Sequence, residues 1–359
     1  MNKARLKKLR EELRKKDREI VRLLNERAEL SIQVGKVKNS NGWKVYDPSQ
    51  EDRVYDHLRE INKGPLSNSA LKNIFGEIIS SSRALQAPTT VAYLGPEASF
   101  SYLAALLHFG KSAEYSPQSS ISKVFDEVEK DRIPWGVVPV ENSLEGSVKP
   151  TLDRLITTPL KIRAEIFHRI SNCLISTREG MEEVKRVYSH PQAVAQCQGW
   201  LKKHLPHVPI VELESTAAAA RKVQEDREGA AIGSNLAAAT YGLKIIAEGI
   251  EDNTSNTTRF FVVGRGTNVA TGRDKTSMVF GTSHIPGSLY QALEPFAREH
   301  LNLTRIESYP MRDKIWEYLF FVDFAGHTEE EKIKKCLTDM VKFTTFIKVL
   351  GSYPRGDKV

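Results

Sequence analysis

The 359-residue chain is too long for one ordinary core and is expected to fold as two or three domains. With 40% apolar and 27% charged residues it has the composition of a globular protein, which excludes disordered and fibrous classes. No apolar run approaches the ~18 residues of a membrane span. We recognise no secretory leader, and three cysteines without metal or redox spacing (Cys173, Cys197, Cys336) favour a cytoplasmic protein.

The net charge of +7 is concentrated in the first quarter of the chain. Residues 1–86 contain 19 Lys and Arg against 12 Asp and Glu, whereas the remainder contains 33 of each. Such a segment could attract nucleic acid, a membrane surface or a small polyanion, or could simply be a solvated helix face. No nucleic-acid-binding motif accompanies the charge, so we expect neither a nucleic-acid nor a membrane partner.

Apolar residues at three- and four-residue steps predict one long helix over residues 3–38. At 1.5 Å per residue this helix is about 50 Å long, too long to bury its apolar stripe within its own domain, so we expect a partner chain. Asp47 as N-cap, Pro48 at N1 and Gln50 at N3 predict the start of a second helix, and a third covers 67–86. "QAPTT" (86–90) is a linker.

Strands and helices then alternate from "TVAYLG" to "TRFFVVG", which predicts an α/β architecture with mostly parallel sheets and a ligand site beyond the strand ends. "GRGTNVATGRDK" is a second linker. The last segment predicts the βαββαβ order of the ferredoxin-like module. Its elements are expected at 276–284, 287–300, 303–310, 316–325, 328–344 and 346–352. The expected domains are therefore 1–86, 90–265 and 275–359.

Charged and polar residues of the first three helices are spaced to share a site. Arg27 and Lys38 are eleven residues apart and lie within about 20° on one helix face, whereas Arg10 is rotated by roughly 100° and could reach only a partner's pocket. The second and third helices each add two polar residues one turn apart, Asp47 with Glu51 and Ser82 with Gln86. Together they suit a small dianionic ligand.

These residues lie in "LREELRKKDREIVRLLNERAELSIQVGKVK", "YDPSQEDRV" and "IISSSRALQ", which closely resemble the all-helical chorismate mutase domain. The resemblance implies a chorismate site lined by Arg10 of the other protomer, Arg27, Lys38, Asp47, Glu51, Ser82 and Gln86. Lys38 and Gln86 would donate to the ether oxygen of the substrate, and Glu51 would accept from its hydroxyl. The rearrangement to prephenate needs only clamped carboxylates and stabilised charge on that oxygen.

The middle region is similar to the prephenate dehydratase domain in "YLGPEASFSYLAA", "VPVENSLEGSV", "YSHPQAVAQC", "LESTAAAA" and "NTTRFFVVG". The resemblance implies two α/β lobes, as in periplasmic binding proteins, with the active site in the cleft. Thr258 would give a proton to the departing hydroxyl beside Arg259; Glu141 is the alternative donor, provided that burial keeps it protonated. The remaining substrate-binding residues would be Asn142, Ser143, Ser189, Gln196, Glu214, Thr257 and Arg259. We expect no cofactor and no metal.

The last ~85 residues resemble an ACT domain, a module that binds amino acids, through "PGSLY" and "IESYP". The resemblance implies a phenylalanine effector site at Gly287, Ser288, Leu289, Glu307 and Ser308. Tyr309 replaces an arginine that such motifs usually carry, which removes a fixed cation, and Arg312 is a candidate substitute. We expect phenylalanine to bind with altered affinity or inhibition.

The resemblances together imply a bifunctional chorismate mutase and prephenate dehydratase of phenylalanine biosynthesis, an isomerase and a lyase in one chain that is at least a homodimer. Two alternatives stay open. The dehydratase could accept arogenate, or the chain could be a sensor that binds an amino acid without turnover.

Overall fold

The computed structural model describes residues 2–310 and 318–356. Its contacts divide the chain into two compact units. One unit runs to Thr89 and includes Phe109–Glu114, and the other contains Thr90–His108 and the chain from Tyr115 onward. Within the described ranges, no helix is both long and apolar enough to cross a membrane.

The first unit is built on three helices, α1 (Asn2–Ser40), α2 (Pro48–Ile61) and α3 (Asn68–Gln86). The Asp47 side chain accepts a hydrogen bond from the Gln50 amide at the start of α2, and Ser67 caps α3 in the same way. The three predicted helices and the Asp47 cap are therefore confirmed.

Helix α1 carries an exposed apolar stripe along its length. Ten of its leucine, isoleucine and valine side chains are 38–63% exposed: Leu6, Leu9, Leu13, Ile20, Val21, Leu23, Leu24, Leu30, Val34 and Val37. This is more exposed apolar surface than an ordinary solvated helix face carries.

The second unit begins with an α/β lobe. Its elements are β1 (Thr90–Leu94), α4 (Phe100–Phe109), β2 (Glu114–Gln118), α5 (Ile121–Glu129), β3 (Trp135–Asn142), β4 (Gly146–Ser147), α6 (Lys149–Thr157) and β5 (Lys161–Arg169). The second lobe contains β6 (Cys173–Ser176), a 3₁₀ turn (Met181–Glu183), β7 (Arg186–Ser189), α7 (Pro191–Gln196), α8 (Gln198–His204), β8 (Ile210–Glu212), α9 (Thr216–Glu225), β9 (Gly229–Gly233), α10 (Asn235–Thr240) and β10 (Lys244–Ala247).

The chain then returns to the first lobe through β11 (Thr257–Gly264). β11 lies between β3 and β5 and runs antiparallel to both, giving the sheet order β2-β1-β3-β11-β5. The second sheet, β10-β6-β9-β7-β8, also mixes parallel and antiparallel pairs. The expectation of mostly parallel sheets is wrong, because a strand that returns from the other lobe enters its sheet without a crossover helix.

The C-terminal module has the predicted βαββαβ order. It consists of β12 (Asp274–Gly281), α11 (Ser288–Arg298), β13 (Leu303–Pro310), β14 (Tyr318–Ala325), α12 (Glu331–Met340), a 3₁₀ turn (Val341–Phe343) and β15 (Phe346–Pro354). The antiparallel sheet order is β13-β14-β12-β15. One face packs on α11 and α12, and the other shares a hydrophobic core with the first lobe.

The first lobe and the C-terminal module pack closely within the second unit. A Cβ atom at Gly351 on β15 would lie 2.3 Å from the Ile162 carbonyl oxygen on β5, so only glycine allows this approach. The predicted linker is docked as well, because buried Asn268 bonds to the Arg163 and Ser352 carbonyls. Lys275, assigned to that linker from sequence, lies in β12 and is buried.

Candidate active sites

In the first unit, polar side chains from the three helices meet between α1 and α3. Arg27 Nη1 donates to Ser82 Oγ at 2.7 Å, and Ser82 Oγ donates to the Ile78 carbonyl at 2.8 Å. A Cβ atom at Gly35 would lie 2.8 Å from the Gln86 Cβ, so this glycine lets α1 approach α3. Gln86 Oε1 is buried and has no hydrogen-bond partner among the described residues, which suits a ligand-facing amide.

Glu51 is the carboxylic acid of this helical site whose pKa is shifted from its ordinary value. Burial raises the pKa of its carboxyl, and the negative charge of Asp47 adds to the effect, while Arg83 and Lys38 oppose it. Arg83 Nη1 lies 3.3 Å from Glu51 Oε1. Lys38 Nζ donates to the Val45 carbonyl at 2.8 Å. Two cations and two carboxylates are thus close enough to influence one another.

Arg83 was not among the predicted site residues. It is 5% exposed, its guanidinium stacks over the Tyr46 ring, and its Nη2 donates to the Phe109 carbonyl at 2.8 Å. The one feature of the sequence that could have indicated Arg83 as a site residue is its position next to Ser82 in "SSSR". Arg10, by contrast, is exposed on α1 and about 25 Å from Arg27 along the helix axis. A single chain therefore does not bring Arg10 to the other six predicted residues.

The second unit contains a cleft of about 900 Å³ between the two α/β lobes. Three predicted substrate-binding residues and the predicted catalytic threonine line it: Asn142, Gln196, Glu214 and Thr258. Ser143 and Thr257 pair beside it through backbone and side-chain hydrogen bonds. Ser189 is fully buried, and its hydroxyl donates to the Ile232 carbonyl at 3.3 Å.

The orientation of Thr258 is set by Asn142. The Asn142 Oδ1 atom accepts from the Leu144 and Glu145 amides at 3.0 and 3.2 Å, which fixes its Nδ2 as the donor. That Nδ2 donates to Thr258 Oγ1 at 2.9 Å. The Thr258 hydroxyl thus accepts one bond, and its own hydrogen has no acceptor among the described residues, which leaves it available to a ligand in the cleft.

Arg259 points away from the cleft. Its Nε donates to Glu165 Oε2 at 2.9 Å, and its Nη1 lies 2.5 Å from Asp323 Oδ2 on the C-terminal module. Successive residues of a strand face opposite sides of the sheet, so Thr258 in the cleft requires Arg259 on the other face. The expectation that Arg259 contacts substrate is not supported by this placement.

Glu141 lies on the same side as Arg259. Its side chain is 36% exposed, and its Oε2 lies 3.2 Å from Arg305 Nε and 3.8 Å from Arg259 Nη1. The burial that the alternative proton donor would require is therefore not present.

Several lining residues were not predicted from sequence. Ser99 caps α4, His190 caps α7, and Arg221 lies on α9. Arg221 is the one arginine among the described lining residues, which include no lysine. The N-terminal residues of α4 and α9 also line the cleft, where backbone amides and the helix dipole favour an anion.

Comparison with known families identifies these regions. Residues 9–87 match the family model of chorismate mutase type II, residues 91–268 match that of prephenate dehydratase, and residues 278–341 match that of the ACT domain. A bifunctional chorismate mutase/prephenate dehydratase of Aquifex aeolicus is 46% identical over 355 residues, covering 98% of each chain. A second such protein, from Stutzerimonas stutzeri, is 42% identical over 357 residues, again covering 98% of each chain.

The chain belongs to the bifunctional chorismate mutase/prephenate dehydratase family. It is an enzyme with chorismate mutase, prephenate dehydratase and ACT domains in that order. Among solved structures, prephenate dehydratase from Arthrobacter aurescens in complex with L-Phe is 34% identical, with a TM-score of 0.70 over 76% of this chain and 92% of that chain.

The predicted effector residues of the ACT domain lie in two places. Gly287, at φ 83°, is the N-cap of α11, and Ser288 and Leu289 form its first turn. Glu307 and Ser308 are neighbours on β13, and their side chains face opposite sides of the sheet. Glu307 contacts Ser147 of the dehydratase domain, whereas Ser308 is exposed.

Tyr309 is buried, and its hydroxyl donates to Asp153 at 2.5 Å, so the replaced arginine position now contacts the dehydratase domain. Arg312 lies outside the described residues.

Proposed function

We propose that this chain converts chorismate to prephenate at the helical site and prephenate to phenylpyruvate in the cleft, with phenylalanine as the effector. The family membership supports both reactions. The observation that supports the dehydratase assignment is the hydrogen bond from Asn142 to Thr258 Oγ1 at 2.9 Å, because it leaves the threonine hydroxyl hydrogen available to a substrate in the cleft.

In the mutase reaction, Arg27 and the partner's copy of Arg10 would bind the two carboxylates of chorismate, since a guanidinium forms two parallel bonds to a carboxylate. Lys38 and Gln86 would donate to the ether oxygen as its bond breaks, and Glu51 would accept from the ring hydroxyl. Asp47 and Ser82 would complete the wall. The active form is therefore a homodimer or a larger homo-oligomer.

In the dehydratase reaction, the bond between the ring and its carboxylate breaks, and its electron pair enters the ring as carbon dioxide departs. The ring hydroxyl takes the Thr258 proton and leaves as water, which makes the ring aromatic; Thr258 regains a proton from solvent. Arg221 and the N-termini of α4 and α9 would bind the two carboxylates of prephenate. Gln196 and Glu214 would orient the substrate.

Phenylalanine would bind the ACT domain at the α11 N-terminus and the exposed side of β13. The complex of the Arthrobacter aurescens enzyme with L-Phe supports this effector class. The free, buried state of all three cysteines supports a reducing compartment such as the cytoplasm. Calorimetry with phenylalanine should give a binding isotherm, and its absence would refute the effector assignment.

The decisive test supplies chorismate and quantifies prephenate and phenylpyruvate separately in the wild-type chain, Thr258→Ala and Thr258→Ser. We expect Thr258→Ala to lower phenylpyruvate formation by about 10²–10⁴-fold, the usual contribution of a general acid, while prephenate still forms. Thr258→Ser keeps the hydroxyl and should retain much of the rate. Unchanged phenylpyruvate formation by Thr258→Ala would refute the role of Thr258.

The same assay separates the alternatives. Faster turnover of arogenate than of prephenate would identify an arogenate dehydratase. Phenylalanine binding without turnover of either substrate would identify a sensor.

A further inference from the structure

The strand pair β3–β11 has polar or charged side chains on both of its faces. In the register of the pair, Asn142 is opposite Thr258 and Glu141 is opposite Arg259. Asn142 and Thr258 line the cleft. Glu141 and Arg259 face the sheet of the ACT domain. The backbone that holds the proposed proton donor is therefore held on its reverse side by another domain.

A buried group of charges connects the two domains at this point. We name it the junction network and define it as Glu165, Arg259, Lys275, Asp323 and Tyr353, all at most 6% exposed. Glu165 and Arg259 belong to the dehydratase sheet, and the other three belong to the ACT sheet. Two cations and two carboxylates balance one another inside it.

The contacts within the network are short and directional. Arg259 reaches Asp323 at 2.5 Å, Glu165 at 2.7 Å through Nη2, and the Tyr353 hydroxyl at 3.1 Å. Lys275 Nζ contacts both Glu165 oxygens at 2.7 and 2.8 Å. Ser277 Oγ donates to the second Asp323 oxygen at 2.5 Å. Burial alone would raise the pKa of Asp323, but Arg259 holds it below its usual range.

A second contact lies beside the network. Arg305 on β13 has its Nε 3.2 Å from Glu141 Oε2, and its Nη2 donates to Ser147 Oγ at 2.6 Å. Ser147 is on β4, pairs with Glu141 across the sheet, and lines the cleft. The ACT sheet thus contacts both β3, which carries Asn142, and β11, which carries Thr258.

A buried charge has few alternative partners. Removing its partner therefore leaves it unpaired in a medium of low dielectric. The guanidinium of Arg259 is also planar and bonded in several directions, so it joins β11 at residue 259 to the ACT sheet. Thr258 is the preceding residue, and a displacement on the order of 1 Å is enough to impair a proton transfer.

We propose that Arg259 and Asp323 are positioning residues of the dehydratase reaction, and that the ACT domain holds Thr258 in place through the junction network. This inference rests on the proposed role of Thr258. Arg259 acts from behind the cleft, and the ACT domain is a structural part of the dehydratase site in addition to any effector role.

The test uses the full chain with Asp323→Asn, which keeps the side-chain shape, and Tyr353→Phe, which removes one hydroxyl. We expect the dehydratase kcat to fall at least tenfold in Asp323→Asn and about threefold in Tyr353→Phe. The first change removes the ion pair with Arg259, and the second removes a hydrogen bond to it. The KM for prephenate should stay within about twofold, since no substrate contact is lost. Mutase activity of the same chains reports folding of the first unit, and thermal unfolding reports the second.

The matched control is Asp339→Asn. Asp339 forms ion pairs with Arg298 and Lys342 inside the ACT domain and does not belong to the network. Both activities should remain at the wild-type level in this variant. If Asp323→Asn does not fold, Tyr353→Phe decides the question.

A double variant distinguishes positioning from general destabilisation. If Asp323 acts through Thr258, adding Asp323→Asn to Thr258→Ala should lower the residual rate by less than twofold, whereas independent roles would give multiplied losses. A folded Asp323→Asn chain with unchanged kcat would overturn the inference, as would a rise in KM alone. A wild-type chain without dehydratase turnover would instead refute the proposed function itself, and the inference with it.

Discussion

Helix α1 of the mutase domain and the junction between the dehydratase and ACT domains hold their charged residues in opposite ways. On α1 most charges are exposed, an apolar stripe is uncovered, and Arg10 is about 25 Å along the helix from Arg27 of its own chain. In the second unit the charges at the domain junction are buried and paired, and the cleft is lined from a single chain.

The difference concerns what each site needs in order to be complete. If Arg10 belongs to the mutase site, as we propose, the site on this 39-residue helix is completed by another chain that also covers the apolar stripe. A site braced by buried ion pairs needs no second chain for its geometry, but it depends on the domain behind it. We therefore expect the two activities of this chain to respond to different perturbations.

The largest expected effect tests the shared mutase site. Arg10→Ala and Lys38→Ala should each lower mutase activity by about two orders of magnitude, because each removes a charge-assisted bond to the substrate. If Arg10 acts in the partner's site, mixing the two inactive chains restores one intact site in every mixed dimer. Random exchange of subunits then gives about a quarter of wild-type activity.

The control for this experiment is a mixture of Lys38→Ala with Arg27→Ala. Both residues would serve their own chain's site, so their mixed dimers contain no intact site and should remain inactive. Dehydratase activity should be unchanged throughout. A mixture of Arg10→Ala and Lys38→Ala that stays inactive, although mixed dimers are detected by mass spectrometry, would contradict the shared site.

A smaller effect is expected at Arg221, the arginine of the cleft. Arg221→Ala should raise the KM of the dehydratase for prephenate about tenfold with little change in kcat, because a contact with the side-chain carboxylate, which does not react, contributes equally to the ground state and the transition state. The matched control is Lys222→Ala, the neighbouring exposed cation, which pairs with Glu225 and is not among the lining residues. Equal KM values in the two variants would exclude Arg221 as a ligand.

Local sequence signals predicted much of the architecture. Helix caps at Asp47 and the three- and four-residue period define the first three helices, and alternating patterns define the βαββαβ module. These features depend on neighbouring residues alone. The direction of β11 was not predictable in the same way, because its pairing with β3 and β5 joins segments about a hundred residues apart.

The site shows the same limit. Sequence placed Thr258 and Arg259 together, and strand alternation means that only one of them can face the cleft. Which face is covered by another domain depends on tertiary packing, so the junction with Asp323 was not visible from the motif. Arg83 was missed for a similar reason, since its burial depends on Tyr46 and Phe109 from other elements.

The smallest expected effect is the pH dependence of the mutase, which should differ from that of the dehydratase. Burial raises the pKa of Glu51 above its ordinary value of 4.5, and in the proposed mechanism the carboxylate form would accept a hydrogen bond from chorismate. Mutase activity should therefore fall severalfold as the pH decreases through the raised pKa, at a higher pH than an ordinary glutamate would give.

Stability should change in the opposite direction, and this provides the control. A carboxyl with a raised pKa in the folded state contributes stability that is present below pH 4.5 and is lost as the pH rises through the folded value. In Glu51→Gln the contribution of this carboxyl to both pH dependences should disappear. The mutase rate should be lower and should no longer change with pH over this range, and the unfolding free energy should change less with pH. A pH profile of Glu51→Gln that matches the wild type would assign the titration to another group and leave Glu51 as a packing residue.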